Sequence, residues 1–165
     1  MAKFNLVALL CMVLLAVGCG QSAEERAMEE QIEKETAADT DVDVSKKGMK
    51  VTGETEGGEY TVTTGGKTEI PKNFPADVFI YRPSKAVMAM EIPEGHSIAL
   101  TTQDDQSKVL SAYKREMTAK GWSEETSMNM GSQSVLVYEK NGRAANISVV
   151  PSEKEVQINV TVTTQ

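Results

Sequence analysis

Cysteine is nearly absent from this chain of 165 residues, and its two copies, Cys11 and Cys19, both fall within the first nineteen positions. The rest of the chain therefore cannot form an intrachain disulfide, a cysteine nucleophile or a cysteine-rich zinc site. Aromatic residues are also scarce, at 5% of the chain. A folded core must therefore rely on aliphatic side chains and methionine.

Clustered positive charge is missing as well. Residues 19–60 hold 12 acidic and 5 basic side chains, whereas residues 61–165 hold 12 and 11. Phosphate backbones bind to lysines and arginines that are gathered on one face of a protein. The acidic leading segment and the nearly neutral remainder therefore argue against a nucleic-acid partner. The length leaves room for one domain of ordinary size.

Signatures of catalysis are lacking too. The only histidine, His96, follows a Pro-Glu-Gly turn, and no G-x-S-x-G motif accompanies the serines. A catalytic imidazole needs a nucleophile or an acid beside it, so we expect His96 to be a surface residue. The acidic pairs Asp104-Asp105 and Glu124-Glu125 are interpreted as a helix cap and an exposed strand edge. The sequence predicts no catalytic residue, no cofactor and no enzymatic activity, with a carboxylate hydrolase as the weakest alternative.

An apolar leader opens the chain. Met1–Asn5 is short and polar, and Leu6–Val17 is almost uninterrupted apolar sequence. A helix needs roughly 20 apolar residues to cross a bilayer, so this run is too short to span one and is typical of a secretion signal. Residues 1–18 are therefore predicted to be a signal peptide.

The end of the leader, LAVGC at positions 15–19, resembles a bacterial lipobox, with its leucine one place earlier than usual. The resemblance implies that Cys19 becomes the first residue of the mature protein and carries fatty acyl groups such as palmitate. Two or three chains anchor a protein stably, since each buried CH₂ contributes about 0.8 kcal/mol. In Gram-negative relatives an aspartate after the cysteine retains the protein at the inner membrane. Gly20 therefore implies the periplasmic side of the outer membrane. The alternatives are a free thiol at Cys19 after ordinary secretion, or an uncleaved anchor.

Residues 19–70 are predicted to form an acidic tether. Residues 23–38 can form a marginal solvated helix, because Met28 and Ile32 give it only a narrow apolar stripe. Alternating apolar residues between positions 42 and 62 allow two or three short hairpin strands with little to bury. The alternative to a spacer is an acidic stretch that docks on a partner.

A folded domain is predicted over residues 71–165, because prolines at 71 and 75 interrupt regular structure there. Asn141-Gly142 is a strong hairpin signal, since both residues tolerate the positive φ of a type I′ turn. Alternating apolar residues near the end of the chain fit a sheet with one solvent-facing side. The predicted strands are 86–92, 96–102, 122–129, 133–140, 143–150 and 155–163.

The most regular helical pattern lies between the second and third of these strands. Thr102 and Asp105 resemble a capping box with aspartate in place of glutamate. Gly121 suits the left-handed residue after a helix, and Trp122 can then fold back onto the last turn. The stripe that recurs at helical spacing consists of Val109, Leu110, Tyr113 and Met117.

Short connections make neighbouring strands antiparallel, and one helix can cover one face of such a sheet. The predicted class is α+β, with one long amphipathic helix on an antiparallel sheet in the order ββαββββ. This order resembles helix-on-sheet domains of periplasmic lipoproteins, including accessory subunits of outer-membrane assembly machinery. The prediction is a non-enzymatic envelope lipoprotein that binds another protein through its sheet face or an edge strand. The alternative is a small-molecule or lipid carrier with its ligand between helix and sheet.

Two methionine pairs suggest a further alternative. Met88 and Met90, and likewise Met128 and Met130, are two positions apart, so each pair faces one side of a strand. Thioethers suit Cu(I), and four sulfurs would converge if the two strands were neighbours. The competing interpretation is that these methionines fill gaps or form an adaptable contact surface.

Overall fold

The structure is a computed structural model that describes residues 40–45, 48–55, 58–66 and 68–164. These residues form nine strands and one helix, which are joined by turns and loops. These residues belong to one compact unit, Ala38–Gln165. The predicted signal peptide, Cys19 and the helix predicted at 23–38 lie outside the described residues. Within the described ranges, no helix has the length and apolar character needed to cross a membrane.

All nine strands belong to one antiparallel sheet in the order β1-β2-β3-β4-β5-β9-β8-β7-β6. The last strand of the chain, β9, lies between β5 and β8. The strands are β1 (Thr40–Ser45), β2 (Gly48–Thr55), β3 (Gly58–Thr64), β4 (Lys85–Ile92), β5 (Gly95–Thr102), β6 (Ser123–Met130), β7 (Gln133–Lys140), β8 (Arg143–Pro151) and β9 (Val156–Thr164), and the helix α1 (Gln106–Ala119) follows β5.

The predicted α+β class is confirmed, but the sheet is larger than predicted. The order ββαββββ counted six strands, and β1, β2 and β3 precede them here. These three come from residues that the sequence analysis assigned to the tether. A hairpin with little to bury gains stability when it extends an existing sheet, and β3 pairs with β4 from Thr61↔Glu91 to Thr64↔Met88. The helix has 14 residues, which is an ordinary length rather than a long one.

The turn chemistry of the β7–β8 hairpin is confirmed. Asn141 has a φ of 51° and Gly142 a φ of 71°, as a type I′ turn requires. A different glycine, Gly95, permits close approach of two strands. A Cβ atom there would lie 2.0 Å from the carbonyl oxygen of Val162 on β9. Only glycine therefore fits at this point of the β5–β9 pairing.

The end of α1 also follows the prediction. The amide of Trp122 donates to the carbonyl of Met117 at 3.0 Å, and that of Gly121 donates to Thr118 at 2.9 Å. With a φ of 82° at Gly121, these two bonds form a Schellman motif. Trp122 is buried, and its indole Nε1 donates to the carbonyl of Asp77 at 2.8 Å.

The predicted capping box at the start of α1 is wrong. Asp105 is the N-cap residue, and its side chain makes no capping hydrogen bond. The Thr102 hydroxyl instead donates to the carbonyl of Pro83 at 2.6 Å and accepts the amide of Asp104 at 3.3 Å. Because Thr102 is engaged by the segment before β4, it does not reach the amides of the helix.

The register divides the sheet into two faces, because directly opposed residues of antiparallel strands point to the same side. We call the side covered by α1 and by residues 70–84 the first face, and the other side the second face. Val109, Tyr113 and Met117 of α1 have no exposed surface, so the predicted stripe is confirmed at these positions. The core on the first face also contains Phe74, Val78, Tyr81, Ala89, Ile98, Leu100, Trp122, Leu136, Tyr138, Ala145, Ile147, Val149, Val156, Ile158, Val160 and Val162.

Candidate functional site

The second face changes its chemistry from one end of the sheet to the other. Strand pairing places one residue of every strand in a continuous row, and a second row runs beside it. The first row is Val42, Val51, Val62, Met90, Ser97, Thr161, Asn146, Val137 and Thr126. The second row is Val44, Met49, Thr64, Met88, Ala99, Asn159, Ser148, Val135 and Met128.

On β1 to β4 these rows are almost wholly apolar. None of their side chains belongs to the core cluster on the first face. Val51 and Val62 are buried, and the others are half-buried. A contiguous apolar patch outside the core is the usual mark of an interaction site. We call these residues the valine–methionine patch: Val42, Val44, Met49, Val51, Val62, Met88 and Met90.

On β5, β9 and β8 the same rows carry neutral polar side chains, except for the buried Ala99 on β5. The hydroxyls of Ser97 and Thr161 lie 2.9 Å apart across the β5–β9 pairing. Ser148 on β8 accepts a hydrogen bond from the Gln133 side chain at 2.8 Å. Hydroxyl and amide groups of this kind hydrogen-bond readily to water. The centre of the second face is therefore solvated, and it separates the valine–methionine patch from the β6 edge.

Two open clefts lie under residues 68–72 on the first face. They share Glu69 and Ile70 and have volumes of about 250 and 330 Å³. The smaller is mainly polar, with Lys50, Thr61, Thr63, Pro71, Lys72, Ala89 and Glu91 completing its wall. The lining of the larger is also mainly polar by area, and the rest of its wall consists of Thr68, Ile80, Arg82, Ser84, Ala86 and Leu100. Both clefts lie away from α1, whose sheet-facing side chains are fully buried.

An ion-pair cluster fastens the covering residues 70–84 to the sheet. Both carboxylate oxygens of Asp77 accept hydrogen bonds from Arg143, one of them at 3.0 Å, and Lys140 lies 2.8 Å away. The Arg143 guanidinium lies over the Trp122 ring at 5.0 Å. The hydrogen bond from Arg143 holds the pKa of the Asp77 carboxyl well below its usual range. Asp77, Arg143, Lys140 and the Trp122 ring each contact at least one other member of this cluster, so we assign the cluster a structural role.

Buried tyrosines also have shifted pKa values. Burial raises the pKa of Tyr81 to about 12. The Tyr81 hydroxyl donates a hydrogen bond to the Asp104 carboxylate at 2.7 Å, and this contact raises the pKa further. Burial likewise raises the pKa of Tyr113 and of Tyr138. These phenols therefore stay protonated at neutral pH and are poorly suited to act as bases.

His96 is not the surface residue that the sequence analysis expected. Its side chain is 19% exposed, and its ring meets Phe74 edge to face at a centroid distance of 5.9 Å. Its Nδ1 atom is buried without a hydrogen-bond partner in the described part of the chain, and Glu91 Oε1 lies 4.0 Å away. The residue points to the first face because it pairs with Val162.

The two methionine pairs are far apart. Four strands separate β4, which carries Met88 and Met90, from β6, which carries Met128 and Met130. Strands are spaced by about 4.8 Å, so the pairs are about 24 Å apart. The copper site that required neighbouring strands is therefore wrong. All four residues lie on the second face, which agrees with the interpretation of methionine as a contact surface.

Comparison with known proteins gives one similarity. A family model described as START domain-like matches residues 85–163, which extend from β4 through α1 to β9 and make up slightly less than half of the chain. No curated protein matches the chain, and no solved structure does. The similarity concerns the strands and helix that carry the core, whereas β1 to β3 fall outside it.

Proposed function

We propose that the protein is a non-enzymatic lipoprotein of the bacterial cell envelope that binds another envelope protein through the valine–methionine patch. In this proposal the lipid on Cys19 holds the chain at the periplasmic side of the outer membrane. The observation that carries the proposal is the position of seven apolar side chains in two aligned rows outside the core.

Physical chemistry favours a protein partner for this patch. Val51 and Val62 are already buried, and the five half-buried residues of the patch keep some apolar area in contact with water. That remaining area is stabilised when another apolar surface covers it. Methionine side chains, here Met49, Met88 and Met90, adapt to partners of different shape because they are unbranched and polarizable. The neutral polar strands beside the patch supply the polar rim that interfaces usually have.

Crosslinking in intact cells tests the partner surface. Met90 is replaced by the photo-crosslinking residue p-benzoylphenylalanine, and Asn159, half-buried on the same face, receives it as the matched control. We expect a discrete crosslinked protein from position 90 and none from position 159. Equal products from both positions, or none from either, would remove the patch as the binding surface.

The lipid anchor has its own test. Mass spectrometry of the mature amino terminus should show a diacylglycerol on Cys19, and Cys19→Ser should release the protein from the membrane fraction. An unmodified thiol, or a leader still attached, would contradict the proposed anchor and location.

The START domain-like match favours a second candidate function, the binding of a small apolar or lipid-like ligand. The larger cleft, with Ile70, Ile80 and Leu100 in its wall, offers a place for it. Octanoate serves as the probe in an NMR titration. Methyl shifts at these three residues, with none at Val109 on the buried side of α1, would support this function. No shifts at millimolar octanoate would contradict binding of such a ligand in this cleft.

A further inference from the structure

The edge strand β6 offers backbone groups that face no other strand of the described residues. It pairs only with β7 and stands at the end of the sheet, so its other side has no strand beside it in the described residues. An open edge carries a row of free N–H and C=O groups that can hydrogen-bond to a further strand.

Exposed methionines accompany this open edge. Met128 is 44% exposed and Met130 is 54% exposed, and only one other large hydrophobic residue of the described chain, Ile92, is exposed. Both methionines point to the second face, where Met128 is directly opposite Val135 of β7. An added strand would therefore gain apolar contacts as well as hydrogen bonds.

Charge and backbone irregularity protect only the first half of β6. Glu124 and Glu125 are both exposed, and the register shifts between Glu124 and Thr126. Charged residues and bulges are the usual means by which proteins block edge pairing. The second half, Ser127–Met130, carries neither of these features. It is the part of the strand that can accept a neighbour.

We propose that this half of β6 pairs antiparallel with β6 of a second copy of the chain. Pairing about Asn129 places Met128 of one copy opposite Met130 of the other, so four methionines meet on the second face. The glutamates of the two copies then fall outside the paired segment, and like charges do not oppose each other. Such self-complementarity is what a two-fold interface requires.

The opposite edge of the sheet does not have this property. In β1, Asp41 and Asp43 are both exposed and lie on the first face. Antiparallel pairing of two β1 strands about Val42 would place Asp41 opposite Asp43 of the other copy. Directly opposed like charges destabilise a strand pair, so the pairing is expected at β6 alone.

Analytical ultracentrifugation of the full mature chain in detergent tests the pairing. We expect a dimer for the unchanged protein and loss of the dimer for the double variant Met128→Lys and Met130→Lys. The control is Ser123→Lys, which adds a charge at the protected end of the same strand and should leave the dimer intact. Far-UV circular dichroism checks that each variant is folded. A monomer for the unchanged protein, or a dimer that survives both lysines, would overturn the proposal.

A second measurement locates the contact. Asn129→Cys should form an intermolecular disulfide under mild oxidation, because position 129 lies on the two-fold axis of the proposed pair. Asp43→Cys on β1 and the unchanged chain are the controls and should not crosslink. A dimer in which position 43 crosslinks and position 129 does not would assign the contact to the other edge and overturn the proposal.

Discussion

The two faces of the sheet use the same strands for different purposes. On β8, Ile147 and Val149 point to the first face and are completely buried, whereas Asn146 and Ser148 point to the second face and remain accessible. The first face is covered by α1 and residues 70–84, and its side chains are selected by packing. The second face changes from apolar to polar across the sheet, and only some of its described side chains, including Val51, Val62 and Ala99, are buried.

The largest loss of stability is expected when a buried side chain on the first face is shortened. Ile147→Ala should lower the free energy of unfolding by about 2–5 kcal/mol, because it leaves a cavity beneath α1. Urea denaturation followed by circular dichroism measures the change. Asn146→Ala, the exposed neighbour on the same strand, is the matched control and should change stability by less than about 0.5 kcal/mol. Similar losses from both variants would erase the distinction between the faces.

A smaller effect is expected from the ion pair that holds residues 70–84 on the first face. Asp77→Asn should lower the free energy of unfolding by about 1–2 kcal/mol at pH 7, because Arg143 and Lys140 lose a charged partner in a partly exposed site. Denaturant titrations at several pH values measure the difference between the variant and the unchanged protein.

The lowered pKa of the Asp77 carboxyl determines how its contribution to the stability of the fold changes with pH. The pKa of Asp77 is lowered in the folded state from an ordinary value of 3.8. Its stabilising contribution is therefore complete above about pH 4 and is lost as the pH falls toward the folded-state pKa. The gap between Asp77→Asn and the unchanged protein should shrink below pH 4. Asp105→Asn, at a helix cap whose side chain makes no capping hydrogen bond, is the control and should change the free energy of unfolding at pH 7 by less than about 0.5 kcal/mol.

The smallest effect is expected on the second face. Ser97→Ala removes the hydroxyl contact with Thr161 and should lower the free energy of unfolding by about 0.5 kcal/mol or less, since such cross-strand pairs contribute little. The double variant Ser97→Ala and Thr161→Val should be no less stable than the single one, because no polar group is then left without a partner. A loss above about 2 kcal/mol, measured by the same denaturation, would show that this face is also packed.

Local patterns in the sequence were sufficient for several elements. The Asn141-Gly142 turn, the stripe of α1 and the Schellman motif at Gly121 each lie within a segment of fewer than ten residues. Their geometry follows from backbone sterics and from spacing along a single element. The capping box failed because a residue distant in sequence, Pro83, engages the Thr102 hydroxyl.

Contacts between distant segments escaped prediction. Nothing in the local pattern of residues 40–64 indicates that β3 pairs with β4. Likewise, the first-face position of His96 depends on its pairing with Val162, which is far away in the chain. The valine–methionine patch was not predicted as a unit, although alternating apolar residues in β1 to β3 were noted. The missing information was which strands become neighbours.

By itself, the sequence determined the α+β class, the bounds of most strands and the chemistry of the turns, because each depends on local periodicity and on allowed backbone angles. Only the tertiary structure decided the strand order. That order separates the methionine pairs, aligns the apolar rows of β1 to β4 and leaves β6 at an edge. The physical reason is that period-two alternation tells which residues of a strand share a face, whereas strand partners are chosen by packing over the whole core.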